Sequence, residues 1–240
     1  MAQNGPAFAP EDIDFDAFYR GEPPMAGSQL TFERVPWDIG EAQPEIVRLV
    51  EQGEVRDEVL DAGCGLGDNA LLLAARGHRV VGVDGSPTAI REAERRAADK
   101  GLSVEFVVDD VTRLDGLDQR FSTVLDSALY HCLGAAQRAA YAAALHRVTK
   151  PGAQLHLFCF RADELGAAPT PGPVDEQDLR NNLGGHWKIL DLARTHYTTI
   201  FSREEFARLQ PEIADRVDAL EVDERGRVRA PVWHLHAERA

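Results

Sequence analysis

One short stretch constrains this chain more than any other. The apolar pair Val59-Leu60 runs into Asp61, and glycines follow at alternate positions, Gly63, Gly65 and Gly67, before a helical pattern takes over. Glycines at that density let a backbone turn sharply from strand to helix and let a ligand approach the main chain closely. A second apolar run, Val80 to Val83, ends in Asp84 and Gly85. An acid roughly 20 residues beyond the loop is where a ribose hydroxyl pair is held in nucleotide-binding sheets. The pair of features predicts a parallel strand–helix–strand unit with a nucleoside-bearing ligand across the strand ends.

The ligand is not expected to be a dinucleotide. That fingerprint reads G-x-G-x-x-G, whereas Asp68 stands here at the later glycine position. Asp61 at the strand end would repel a pyrophosphate but suits a cationic ammonium group.

From Val59 onward, strand and helix patterns alternate. Strands are expected at 59–62, 79–84, 104–108, 121–126 and 154–160. Helices are expected from Leu71 to Arg76 with Asp68 as N-cap, from Ser86-Pro87 to Lys100 with Gly101 as the stop, and from Ala135 to Thr149. Alternation of this kind implies right-handed crossovers and helices on both faces of a parallel sheet. After Arg161 the pattern changes. A Pro/Gly-rich stretch at 166–173 reads as a loop over the site, 174–183 as a short helix, and 187–201 and 227–236 as two long strands without a full crossover helix between them. The fold class is therefore α/β, a doubly wound, Rossmann-like, mostly parallel seven-stranded sheet with an antiparallel C-terminal edge. Residues 1–45 read as an N-terminal arm and lid, and 46–240 as a single domain. Ligands in such sheets bind beyond the strand carboxyl ends, where Asp61, Asp84, Asp110 and Asp126 all arrive.

Charge narrows the partners. Net charge is −14, from 26 basic and 40 acidic residues. Such a surface does not suit nucleic acid, whose binding rests on neutralising phosphates, or an anionic membrane. A small-molecule acceptor is expected, with the protein a monomer or homodimer. Three cysteines, Cys64, Cys132 and Cys159, without metal-ligand spacing suggest a reducing cytoplasm. No secretory signal pattern and no membrane-spanning apolar run is evident.

The string Asp61-Ala62-Gly63-Cys64-Gly65-Leu66-Gly67 resembles the first motif of the class I S-adenosylmethionine-dependent methyltransferases, whose cofactor carries an ammonium, a sulfonium and a ribose and leaves as S-adenosylhomocysteine. The resemblance implies that Asp84 holds the ribose beside Gly85 and that Asp61 faces the methionine end. It also implies that Asp110 accepts from the adenine amino group, that the Val111 amide meets the ring, and that Asp126 lies at the rim near the sulfonium. Many relatives carry glycine where Asp109 stands. Val35-Pro36-Trp37-Asp38-Ile39-Gly40 and Ala128-Leu129-Tyr130-His131-Cys132-Leu133 are similar to bacterial small-molecule methyltransferases acting on thiopurines, halides, thiols and nitrogen heterocycles. On that likeness Trp37, Phe18 and Tyr19 form a lid over cofactor and acceptor. Tyr130 and His131 line the acceptor, with His131 the first candidate for a base toward a phenol or thiol and Tyr130 a remote second.

Two other readings stay open at this point. One is an NAD(P)-dependent oxidoreductase, which would keep Asp84 but leave the missing third glycine unexplained. The other is a non-catalytic nucleotide-binding protein. No metal is expected: His131-Cys132 has no third ligand at sensible spacing, and Asp126 with Asp109 or Asp110 has no supporting partner.

Overall fold

The computed structural model describes residues 12–27, 29, 31–32, 34–161, 174–209 and 211–240. The first eleven residues and the expected loop at 166–173 lie outside the described residues.

The sheet has seven strands in the order β3-β2-β1-β4-β5-β7-β6. They are β1 (Val59–Ala62), β2 (Val80–Asp84), β3 (Glu105–Val108), β4 (Phe121–Ser127), β5 (Thr149–Phe160), β6 (Trp187–Ser202) and β7 (Arg227–Arg239). The first five run parallel, and β7 lies antiparallel between β5 and β6. The expected antiparallel pair is present, with the last strand slotted inside the edge. The strand order reverses between β1 and β4, which opens the crevice where such sheets bind ligands.

The helices are α1 (Phe15–Arg20), α2 (Pro44–Glu51), α3 (Asp68–Ala75), α4 (Pro87–Lys100), α5 (Ala135–Val148), α6 (Glu176–Leu183) and α7 (Arg203–Leu209). Alternating strand residues feed two cores. Leu60, Ala62, Val81, Val83 and Val124 pack with Tyr141 and Leu145 of α5. Val59, Val80, Leu125 and Phe158 pack with Ile46 and Leu49 of α2 and Leu73 of α3. Among the described residues, no helix is long and apolar enough to cross a membrane.

The caps follow the sequence with one correction. Ser86 Oγ accepts from the Ala89 amide at 2.9 Å, and Gly101 closes α4 at φ 64°. α3, by contrast, is capped by Gly67 at φ 84°, with Asp68 as its first residue. The Asp68 carboxylate is drawn instead to Arg96 of α4 at 2.8 Å. The aromatic arm contributes a full turn of helix that periodicity did not disclose. α1 is capped by Asp14, which accepts from the Ala17 amide, and stopped by Gly21 at φ 70°.

Candidate active site

The glycine loop is fastened to the end of β2. The amides of Gly63 and Cys64 both donate to the Val83 carbonyl, at 2.7 and 3.0 Å. The Gly65 amide donates to Asp84 Oδ2 at 2.9 Å, and the Ser86 amide donates to Asp84 Oδ1 at 2.8 Å. Each Asp84 oxygen thus keeps a lone pair for a further donor. Burial raises the Asp84 pKa, the two amide bonds oppose that rise, and Asp16 adds to it.

Gly65 is glycine for a spatial reason. Its φ is +52°, and a Cβ there would stand 3.0 Å from the Tyr19 hydroxyl and 3.9 Å from Trp37 Nε1. At Gly63, with φ +69°, a Cβ would come within 2.8 Å of Leu129. Leu129 is brought there by Ala128, which holds a left-handed φ of 74° at the end of β4, a strained conformation for a residue with a side chain.

The arm covers this loop. Trp37 Nε1 donates to the Tyr19 hydroxyl at 3.1 Å, and the indole packs edge-on against Phe18 with centroids 5.0 Å apart. Phe15 and Phe32 complete the cluster. Trp37 remains 39% exposed, which makes it a covering residue and not part of the core of α2. The arm is pinned by a residue the sequence reading missed: Asp16 Oδ1 accepts from Ser86 Oγ and, at 3.1 Å, from the Thr88 amide at the start of α4. Asp16 thus supplies a second anionic cap to that helix, two residues from Asp84. The available signal was an acid among aromatics, Asp16 between Phe15 and Phe18. A second tether joins Asp38, beside Trp37, to Arg96 at 3.1 Å. A third joins the Gln43 side-chain amide to the Thr198 backbone, at 3.0 and 3.2 Å.

Asp61 is fully buried, and neither carboxylate oxygen has a hydrogen-bond partner. Burial pushes its pKa up to about 7, with the nearby Asp126 charge adding to the rise and the Ala70 amide of α3 offsetting part of it. The Ala70 amide faces the carboxylate but falls short of hydrogen-bond geometry, and a buried carboxylate so poorly satisfied is costly unless a cation meets it. That makes Asp61 a fit partner for a ligand ammonium.

Other sequence candidates are placed differently. Asp126 is equally buried but fully engaged: Oδ1 accepts from the Leu129 and Tyr130 amides at 2.9 and 3.3 Å, and Oδ2 from the Tyr141 hydroxyl at 3.0 Å. It organises the turn after β4 and has little capacity left for a ligand. The Tyr130 hydroxyl donates to Asp178 of α6 at 2.8 Å, and burial raises its pKa. Its ring lies beneath the Arg138 guanidinium at 5.1 Å. His131 is buried edge-on against Phe160, with ring centroids at 4.7 Å and Nδ1 unpartnered. Burial lowers its pKa to about 3, and Arg138 adds to the fall. Asp110 is exposed and caps its own turn, Oδ1 accepting from the Thr112 amide and hydroxyl at 2.9 and 2.7 Å. Val111 is buried in the core, and Gly85 is open to solvent. The structure therefore brings Asp61, Gly63, Gly65, Asp84, Tyr19 and Trp37 together at one rim. Asp110 stands beyond β3, and the Tyr130 hydroxyl is turned toward α6.

A switch-point sheet, a glycine loop bonded to a strand-end acid, and a poorly satisfied buried carboxylate define a nucleotide-binding site of the Rossmann-like type. Residues 59–152 match the family model described as a methyltransferase domain. The chain is 43% identical over 183 residues to the 2-heptyl-1-hydroxyquinolin-4(1H)-one methyltransferase of Mycobacteroides abscessus, covering 75% of this chain and 78% of that one. It superposes with TM-score 0.75 and 33% identity on the structure described as "Conversion of a Disulfide Bond into a Thioacetal Group during Echinomycin Biosynthesis", over 94% of this chain and 91% of that one. Magnesium protoporphyrin IX methyltransferase from Synechocystis with bound S-adenosylmethionine shares the fold, at TM-score 0.56 and 21% identity over 82% of this chain and 76% of that one. The chain belongs to the class I S-adenosylmethionine-dependent methyltransferases. The missing later glycine and the inserted antiparallel β7 are features of this family, and the oxidoreductase reading is set aside.

Proposed function

We propose that the enzyme moves a methyl group to a nitrogen, sulfur or oxygen atom of a small aromatic or heterocyclic acceptor by direct in-line displacement. The bound cofactor supplies an electrophilic methyl on a sulfonium, so the acceptor needs chiefly a well-placed lone pair. Asp84 has capacity to accept from the ribose hydroxyls, and Asp61 to meet the ammonium. The aromatic arm excludes water and orients the acceptor, a contribution worth roughly 7–11 kcal/mol in well-aligned systems.

The observation that carries this reading is the pairing of Asp61's two unused oxygens with Asp84's two half-used ones beside a glycine loop under Phe18, Tyr19 and Trp37. The relative named for a hydroxyquinolone supports a flat heteroaromatic acceptor. Candidate bases near the rim are held in states that do not collect protons. The Tyr130 and Tyr141 hydroxyls already donate to carboxylates, and His131 stays neutral in its apolar seat. His131 then serves to orient the acceptor through Nδ1, and the acceptor arrives with its nucleophile already ionised or as a ring nitrogen.

The test is a panel assay with labelled S-adenosylmethionine against N-hydroxyquinolones, heteroaryl thiols, ring nitrogens and neutral phenols. Acidic N-hydroxy and thiol acceptors should turn over at least about tenfold faster than phenols of ordinary pKa. Equal rates for phenols would require a protein base. A thermal melt should rise with S-adenosylhomocysteine.

A further inference from the structure

A second cluster of chemistry-bearing side chains lies on the sheet face covered by α2. His156 of β5 and His236 of β7 are directly opposed across the antiparallel ladder. Their rings stack with centroids 4.5 Å apart and planes 15° apart. Glu54, just after α2, is held in place by its amide donating to the Leu49 carbonyl at 3.0 Å. One ligand atom from each of Glu54, His156 and His236 lies within 4.8 Å of the others.

The neighbours set the tautomer of His236. Gln154 Nε2 donates to the Gly152 carbonyl at 2.9 Å and to Glu238 at 3.2 Å, which makes Oε1 the acceptor facing His236 Nε2 at 2.8 Å. His236 therefore carries its proton on Nε2 and presents Nδ1 as a lone pair. His156 Nδ1 and His234 Nε2 lie 3.2 Å apart, and either can be the donor; when His156 carries its proton on Nδ1, its buried Nε2, which has no hydrogen-bond partner among the described residues, is left as a lone pair beside the Glu54 backbone. Metal-binding histidines are set up in this way, the remote nitrogen engaged by an outer partner and the near one left as a donor. Two imidazoles and one carboxylate on a shared locus have no use in the methyl-transfer chemistry.

We propose that Glu54, His156 and His236 bind a divalent cation of the zinc class, with Gln154 and His234 orienting the two imidazoles. The donor set of two nitrogens and one carboxylate suits zinc or a neighbouring borderline ion, with a water in the fourth position. Bonds of about 2.0–2.1 Å require the three donors to draw together and the two imidazoles to tilt out of their stacked arrangement, so that both lone pairs converge on the ion. Arg48, 4.0 Å from Glu54, is the opposing charge, and it is already engaged by Glu45 and Gln52. The ion would tie β5 and β7 to the segment that follows α2.

The experiment uses the full-length, tag-free chain stripped with a chelator and dialysed. Cobalt(II) is the spectroscopic probe and zinc(II) the competitor, read by visible absorption and calorimetry. One equivalent of cobalt should give the visible bands of a four-coordinate nitrogen–oxygen site, and zinc should displace it. Glu54→Gln and His236→Phe should each weaken binding by at least about tenfold. Gln154→Leu should weaken it by about tenfold through loss of the outer partner. Glu54 is partly exposed and its substitution leaves the core intact, so a folding failure does not obscure the result. No cobalt spectrum with the parent chain, affinities unchanged in Glu54→Gln and His236→Phe, or thiolate-to-cobalt charge-transfer absorption would each overturn the assignment.

Discussion

The ends of β1 and β4 are adjacent in the sheet, and each carries a fully buried aspartate whose pKa lies near 7. At the end of β4, Asp126 has two backbone amides and a tyrosine hydroxyl to satisfy it. At the end of β1, Asp61 is faced only by the Ala70 amide and makes no well-formed hydrogen bond among the described residues. The same residue type at the same depth thus does two jobs. Asp126 is spent on the fold, since its partners belong to the protein. On the proposed function, Asp61 is held for a partner that arrives with the ligand. A buried polar group that the protein itself satisfies is structural, and one left unsatisfied is a candidate for function.

The sharpest way to test that contrast is to change each acid and read cofactor affinity and stability separately. Asp84, proposed to hold the ribose while accepting from the Gly65 and Ser86 amides, should give the largest affinity effect. Asp84→Ala should weaken S-adenosylhomocysteine binding by about a hundredfold or more in calorimetry, as two hydrogen bonds to a charged group are lost. Asp61→Asn should weaken it by at least about tenfold, yet raise the melting temperature of the free protein above pH 7, because a buried unpartnered charge is removed. Asp126→Asn should do the reverse. It should lower the melting temperature by several degrees and leave affinity in the folded fraction within about threefold, since the turn after β4 loses part of its cap.

Proton linkage refines the comparison. The folded-state pKa of Asp61, about 7, lies above its ordinary value of 3.8. Its contribution to stability is therefore fully present below about pH 4 and is lost as pH rises through 7. Binding an ammonium reverses the preference, because the cation favours the carboxylate. Cofactor affinity should fall as pH drops below 7, by up to about tenfold per unit, and Asp61→Asn should flatten that profile in a pH series. The smallest expected effect is at the arm. Asp16→Ala should release α1 from α4 and raise the acceptor KM by about threefold with little change in melting temperature.

Much of the rim was legible because its signals are local. Gly63, Gly65 and Asp84 lie within one strand–helix–strand unit, and the hydrogen bond from the Gly65 amide to Asp84 spans only 19 positions. Strand–helix alternation gave the five parallel strands, and the absence of a crossover helix gave the antiparallel edge. Asp126 was read as a ligand contact because its position at a strand end matched the other acids. What reassigns it is Tyr141, which arrives from the facing helix, together with amides that turn back only because Ala128 adopts a left-handed backbone. Tyr130 was read toward the acceptor, but Asp178 lies 48 positions away on α6 and takes its hydroxyl. Asp16 reaches Ser86 across 70 positions. The histidine cluster was invisible for the same reason: His156 and His234 are 78 positions apart and meet only because β7 is inserted between β5 and β6.

The sequence by itself determined the sheet, the glycine loop and the strand-end acids, because periodicity, turn chemistry and short-range spacing act within a few dozen residues. Only the tertiary structure decided which of those acids the protein satisfies with its own donors and which it leaves for a ligand. That choice depends on groups brought close by strand order and helix packing, and desolvation gives those groups their energetic weight only once the chain has closed around them.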